Sequence, residues 1–220
     1  LLDAGIEGIW NDMNEPSCWN GSARLADLVI PFTQNKDPDI VHDDGGRNTP
    51  HRAMRNVFAL QECQGTREGL ETLRPGSRPF IVSRSGYAGL QKYAATWTGD
   101  NASTWKHLAL TVPMLLNLGL SGIGFCGPDI GGFMFNCSPE LYARWIELGV
   151  FYPYCRTHTM IRTKRQEPWS FGEKVESIAR EYIKLRYRLH PTMYSLMHEC
   201  AATGAPALRP LAYEFQDDRS

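Results

Sequence analysis

At 220 residues with 42% apolar side chains, the chain is long enough to bury the core of one ordinary domain and too apolar to stay disordered. Lys plus Arg number 23 against 24 for Asp plus Glu, with no basic run, so nucleic acid and anionic membrane surfaces are not the expected partners and a neutral substrate fits. The most apolar stretch, residues 108–120, is interrupted by Thr111, Pro113 and Asn117 and is too short to cross a bilayer.

The opening Leu1-Leu2-Asp3-Ala4-Gly5 has neither the charged start nor the cleavage pattern of a signal peptide, and it reads as the interior of a longer chain. A first strand is expected over 5–10, ending in Trp10-Asn11-Asp12-Met13-Asn14-Glu15-Pro16, where apolar residues give way abruptly to acids and amides. After a loop rich in Asp, Gly and Pro, Thr49-Pro50 is expected to open a helix with Met54, Val57 and Phe58 on one face. Strands are expected over 79–84 and 94–98, the second delivering Trp97-Thr98-Gly99-Asp100-Asn101. Trp105, Leu108, Ala109, Val112, Leu115 and Leu116 then recur at helical spacing, with Gly119 where a left-handed cap is wanted.

A strand over 121–127 precedes a helix begun by Ser138-Pro139, with Tyr142, Trp145, Ile146 and Gly149 inward. A strand over 152–157 follows. Val175, Ile178, Ala179, Tyr182, Leu185 and Leu189 form an amphipathic stripe, expected to break at Pro191 and resume until Gly204, and a final extended segment is expected near 207–215. Strands alternating with helical patterns predict βα units and a parallel sheet. Asp12, Arg84, Asp100, Asp129, and Arg156 with His158 each fall just after a strand, on the rim where a parallel barrel carries its chemistry.

Two carboxylates, Asp12 and Asp100, each beside a Trp and an Asn, suit sugar chemistry. One carboxyl group attacks or activates water, another protonates the departing oxygen, and a Trp face receives the C–H side of a sugar ring. Helix capping competes for both, and for Asp100 in particular. Gly122-Ile123-Gly124-Phe125-Cys126-Gly127 has dinucleotide-fingerprint spacing, but Pro128-Asp129 and a glycine pair follow it instead of a helix, so close backbone approach is the better reading. His158 reads as a binding residue or a core histidine, and Arg84 as a ligand contact or an ion-pair partner, roles that are compatible. His107, His190 and His198 have no acidic partner at ligand spacing and the six cysteines no zinc-type spacing, so no metal is expected. Asn20, Asn101 and Asn136 each open a glycosylation acceptor, but a glycan on Asn101 would obstruct Asp100, so these read as chance matches.

Residues 10–15 and 97–100, Ser83-Arg84-Ser85 between them, Gly127-Pro128-Asp129-Ile130-Gly131-Gly132-Phe133 and Arg156-Thr157-His158 together resemble glycoside hydrolase family 31, the family of retaining α-glucosidases, over nearly the full chain. The resemblance implies an α/β fold, a partial (β/α)8 TIM barrel comprising about strands four to eight. Residues 1–205 would be the C-terminal part of the catalytic barrel and 206–220 the start of a following β domain. It implies release of terminal glucose from an α-glucoside oligosaccharide or glucan with retention of configuration and no cofactor. Asp12 would be the nucleophile and Asp100 the general acid/base, holding its proton at the working pH. Arg84, Asp129, Arg156 and His158 would surround the first-subsite sugar, walled by Trp10, Met13, Trp97 and Phe133.

The run Trp-Asn-Asp-Met-Asn-Glu, in place of the Lys-Thr-Asp-Phe-Gly-Glu type of α-xylosidases, favours glucose. An α-xylosidase, an α-glucan lyase, and an inert carbohydrate-binding or truncated relative are the alternatives, and the chain by itself is expected to be inactive. Linkage preference, the oligomeric state of a full-length protein and the compartment stay open, with a cytoplasmic location favoured.

Overall fold

The computed structural model describes residues 2–16 and 40–218; Cys18, the Asn20 acceptor and most of the Asp/Gly/Pro-rich loop lie outside the described residues. Strand β1 (Gly8–Asn11) precedes a hairpin of β2 (Val41–Asp44) and β3 (Arg47–Pro50), helix α1 (His51–Leu73) and strand β4 (Phe80–Ser83). β1 and β4 pair in parallel from Gly8↔Phe80 to Asn11↔Ser83, and Arg84 N–H extends the ladder to Asn11 O at 3.0 Å. Ala59 and Cys63 turn the buried face of α1 inward, while Arg67–Glu71 at 2.8 Å lies on its outer face.

Thr49-Pro50 does not cap α1 as expected. Both residues belong to the antiparallel hairpin, Thr49 opposite His42 and Pro50 opposite Val41, and the helix begins at His51 with no side-chain cap. The missed signal is Asp43-Asp44-Gly45-Gly46: both glycines take positive φ, and Asp43 Oδ1 accepts from Gly46 N–H at 2.6 Å, closing a tight hairpin turn.

The chain divides into two compact units, Leu1–Ala95 and Thr96–Ser220. From β5 (Ala95–Trp97), which begins at the boundary, the second runs through α2 (Trp105–Leu120), β6 (Cys126–Gly127), β7 (Asp129–Ile130), α3 (Pro139–Gly149), β8 (Arg156–Thr157), α4 (Glu173–Thr203) and α5 (Leu211–Glu214). β5 pairs in parallel with β6, and β7 in parallel with β8. One continuous strand was expected over 121–127; instead the extended chain falls at 126–130 and is divided at Pro128, which has no N–H to give a ladder. Gly127 lies so close to Tyr154 O that a Cβ would collide with that carbonyl. Close backbone approach, rather than phosphate binding, thus accounts for this glycine.

The core of this unit forms where α3 meets α4. Tyr142, Trp145 and Ile146 are buried as predicted, against Ile130, Val175 and Ala179. Each such large side chain contributes roughly 1.5–3 kcal/mol through the apolar surface it removes from water. Arg186 of α4 donates to the carbonyls of Val150, Tyr152 and Pro153 at 2.8, 2.7 and 3.0 Å, fixing the segment that feeds β8.

Four sequence expectations are corrected here. Trp105 and Ala109 are exposed, and the buried face of α2 runs through Thr111, Leu115 and Gly119. Gly119 lies inside that helix rather than in a left-handed cap; a Cβ there would stand 2.8 Å from Pro206 Cβ, so the residue permits close packing, and Gly122 takes the positive φ. α4 runs unbroken through Pro191, because each half has its own anchors. The first packs on α3; the second holds Cys200 against Gly124 and accepts from Arg209 Nη2 through Glu199 at 3.0 Å, which together offset the lost hydrogen bond. Finally, the segment near 207–215 contains the helical turn α5, started by Pro210 at φ −68° and closed by an Arg209–Glu214 ion pair. Gly204 does end α4, as predicted, and it does so in the left-handed conformation.

Candidate active site

At the end of β1 the chain leaves the sheet through Met13, which adopts a left-handed φ of 57° unusual for a bulky side chain. That reversal leaves Asp12 exposed, and residues 13–16 after it form a bend and turn rather than a first helical turn, which removes the capping reading for this carboxylate. Arg84, one residue past β4, spans two acids. Its Nε and Nη2 donate to Glu15 at 2.8 and 2.9 Å, and Nη1 stands 3.4 Å from Asp12 Oδ1. The guanidinium side chain is only 10% exposed against 33% for Asp12, so a nearly buried cation partly offsets an accessible carboxylate.

Below this pair lies a polar network that the sequence reading did not anticipate. Asn14 Nδ2 donates to Glu62 at 2.7 Å and Ser83 Oγ at 2.8 Å, Asn14 Oδ1 accepts from Ser85 N–H at 3.1 Å, and Ser85 Oγ donates to Glu15 at 2.7 Å. Glu15, Asn14 and Ser85 thus hold Arg84 in place. Their signal in the sequence is that Asn14-Glu15 and Ser83-Arg84-Ser85 follow neighbouring parallel strands, where side chains one step past the ladder share a rim. Trp10 and Met13 are 47% and 42% exposed, which leaves their apolar surfaces open to a ligand. Arg84→Met is expected to lower the thermal unfolding midpoint by leaving Glu15 without two charge-assisted hydrogen bonds. Adding Glu15→Gln should cost less than the sum of the two single changes, by a coupling of about 1–3 kcal/mol.

The second unit carries the other predicted residues. Asp129 is fully buried, and Arg156 Nη2 donates to its Oδ1 at 2.5 Å. The Arg156 guanidinium also lies over the rings of Trp97 and Tyr154, at 5.0 and 5.5 Å from their centroids. Trp97 is itself 3% exposed, so it serves as the floor beneath Arg156 rather than an open platform. His158 is not a core histidine: its ring is half-buried and stacks on Phe133, centroids 5.2 Å apart and planes 21° from parallel. Together these residues present a buried charge pair and a stacked ring pair, suited to hydroxyl groups and to the apolar face of a sugar.

Asp100 lies on the loop after β5 and does not cap α2, because Thr104 takes that position, its side chain accepting from His107 N–H at 3.2 Å. Asn101 is engaged inside the fold, its Nδ2 donating to Asp129 O at 2.9 Å, which supports the chance reading of that glycosylation match. Gln166, overlooked in the sequence, is buried and donates from Nε2 to Gly132 O at 2.8 Å, bracing the turn between Asp129 and Phe133. Burial pushes the Cys126 and Cys137 thiols up to about 12, so neither is a nucleophile at neutral pH. Among the described residues no cluster of three metal-ligating side chains forms.

Residues 1–196 match the TIM-barrel domain of glycosyl hydrolases family 31. The chain belongs to that family. Within family 31 it is 48% identical over 218 residues to alpha-glucosidase 2 of Bacillus thermoamyloliquefaciens, an alignment covering 99% of this chain and 26% of that protein. It is 43% identical over 212 residues to a probable glucan 1,3-alpha-glucosidase of Arabidopsis thaliana, covering 96% of this chain and 22% of the relative. Among solved structures, a family 31 alpha-glucosidase from Bacteroides thetaiotaomicron superposes with a TM-score of 0.81 at 41% identity, covering 98% of this chain and 33% of that one. A Flavobacterium johnsoniae family 31 dextranase complexed with glucose gives 0.83 at 32% identity, with 99% and 26% coverage. The family 31 chain described here spans about a fifth to a third of the length of these relatives, and its fold is part of their α/β TIM barrel.

Proposed function

We propose that the protein carrying this chain hydrolyses α-glucosidic bonds with retention of configuration, Asp12 acting as nucleophile and Asp100 as general acid/base. The observation that carries this reading is the placing of Asp12: an accessible carboxylate at a strand end, 3.4 Å from the nearly buried Arg84. It occurs in a chain closely similar to proteins named alpha-glucosidases. Ionised Asp12 attacks the anomeric carbon while protonated Asp100 gives its proton to the leaving oxygen, forming a glucosyl ester. Asp100 then takes a proton from water, which attacks the same carbon and regenerates free Asp12; two inversions give net retention.

Arg84 lowers the electrostatic cost of gathering carboxylates at this rim, and Glu15 holds it in register. Arg156 and His158 would bind ring hydroxyls of the first-subsite glucose, with Trp10, Met13 and Phe133 bounding it; Asp129 and Trp97, both buried, would serve the subsite by holding Arg156 in place. Residues 1–205 would then form the barrel part of the catalytic domain, and 206–220 would lead into the next domain. The test is a comparison of aryl α-glucoside with aryl α-xyloside, using the full-length protein. The glucoside should react at least about tenfold faster, equivalent to about 1.4 kcal/mol of transition-state discrimination. Preference for the xyloside would overturn the choice of sugar.

A further inference from the structure

The loop of residues 98–104, which carries Asp100, is gripped from two sides. Toward residues 129–134, Asn101 Nδ2 donates to Asp129 O at 2.9 Å, and Asn101 O accepts from Phe133 N–H and Met134 N–H at 2.7 and 2.9 Å. Ser103 N–H donates to Met134 O at 2.8 Å, and Ala102 forms a bridge with Met134. The two backbones approach so closely that a Cβ on Gly132, already at φ +92°, would collide with Ser103 N. Toward α2, His107 Nδ1 accepts from Ala102 N–H at 3.0 Å, which requires that this nitrogen carry no proton. His107 is held for the task, its own N–H capped by Thr104 Oγ1 and its carbonyl accepting from Thr111 Oγ1 at 2.9 Å.

We propose that Asn101 and His107 are positioning residues for Asp100, clasping its loop so that it stays in register with Asp129 and Phe133; this rests on the acid/base role given to Asp100 above. Neither side chain needs to touch substrate. General acid catalysis demands that the proton sit within hydrogen-bond reach of the leaving oxygen, and a displacement of about 1 Å at the reacting group is enough to cost about 10²-fold. A loop tied on both sides meets that demand in a way an isolated surface loop does not.

The test introduces Asn101→Ala and His107→Ala separately into the full-length protein and compares maltose, whose sugar leaving group needs protonation, with α-glucosyl fluoride, whose leaving group needs little. Each variant should lose at least about tenfold more kcat/KM on maltose than on the fluoride. Amide hydrogen exchange, followed by mass spectrometry, should quicken in peptides covering 98–104 and 131–136 while α3 keeps its protection. Equal losses on both substrates, or unchanged exchange in the two loops, would overturn the clasp, since a merely structural role lowers both rates together. If Asn101→Ala does not fold, His107→Ala carries both readouts. If the unaltered protein turns over neither substrate, the α-glucosidase assignment fails with the acid/base role on which the clasp depends.

Discussion

Replacing Asp12 by Ala in the full-length protein is expected to lower turnover of α-glucosides by on the order of 10⁴-fold while leaving the fold intact. The side chain is exposed, and Arg84, 3.4 Å away, keeps a bidentate bond to Glu15. Removal therefore deletes chemistry and little packing. The vacated face should then admit a small anion, so that added azide reacts with α-glucosyl fluoride and yields β-glucosyl azide, a single inversion. Product configuration is read by proton NMR. An α-configured azide, or hydrolysis within about tenfold of the unaltered protein, would remove Asp12 from the nucleophile role.

The second large effect concerns Asp100. Asp100→Ala should slow hydrolysis of disaccharides by about 10²–10⁴-fold but cost at most about tenfold on α-glucosyl fluoride, because only the poor leaving group needs a proton in the transition state. The alkaline limb of the pH–rate profile, which reports loss of the acid's proton, should disappear in the variant. Loss to the same degree on both substrates with an intact alkaline limb would move the acid/base role to another residue. Since Thr104 already caps α2, a loss of helix stability would not explain a leaving-group-dependent result.

Much of this protein was legible in its sequence because the physics involved is local. Alternation of apolar runs with helical stripes announced parallel βα units, and Tyr142, Trp145 and Ile146 declared the inner face of α3 by spacing alone. The Trp-flanked carboxylates stood out for a similar reason: apolar residues giving way abruptly to acids and amides mark a strand end at a rim, and the ordered motifs tied them to a family. Local rules failed where distant chain intervenes. Thr49-Pro50 carries helix-start chemistry, yet pairing with Val41 and His42 drew both residues into a hairpin. Pro191 carries a helix-stop signal, yet contacts on either side of it held α4 continuous. Gly119 resembles a cap but stands where Pro206 needs room.

At the site, sequence determined which residue types were available, and only the tertiary structure decided their partners. Arg84 could have faced any nearby acid; the parallel register of β1 with β4 set it against Glu15 and Asp12. Asp129 and Arg156 are 27 residues apart in the chain and became a buried pair because β7 lies beside β8 with these two residues opposite each other. Likewise nothing local marks His107 as the acceptor for Ala102, or Asn101 as the tie to Asp129. Hydrogen bonds and ion pairs act over about 3 Å. Which groups come that close is settled by strand register and helix packing, and those are properties of the whole fold rather than of any stretch of sequence.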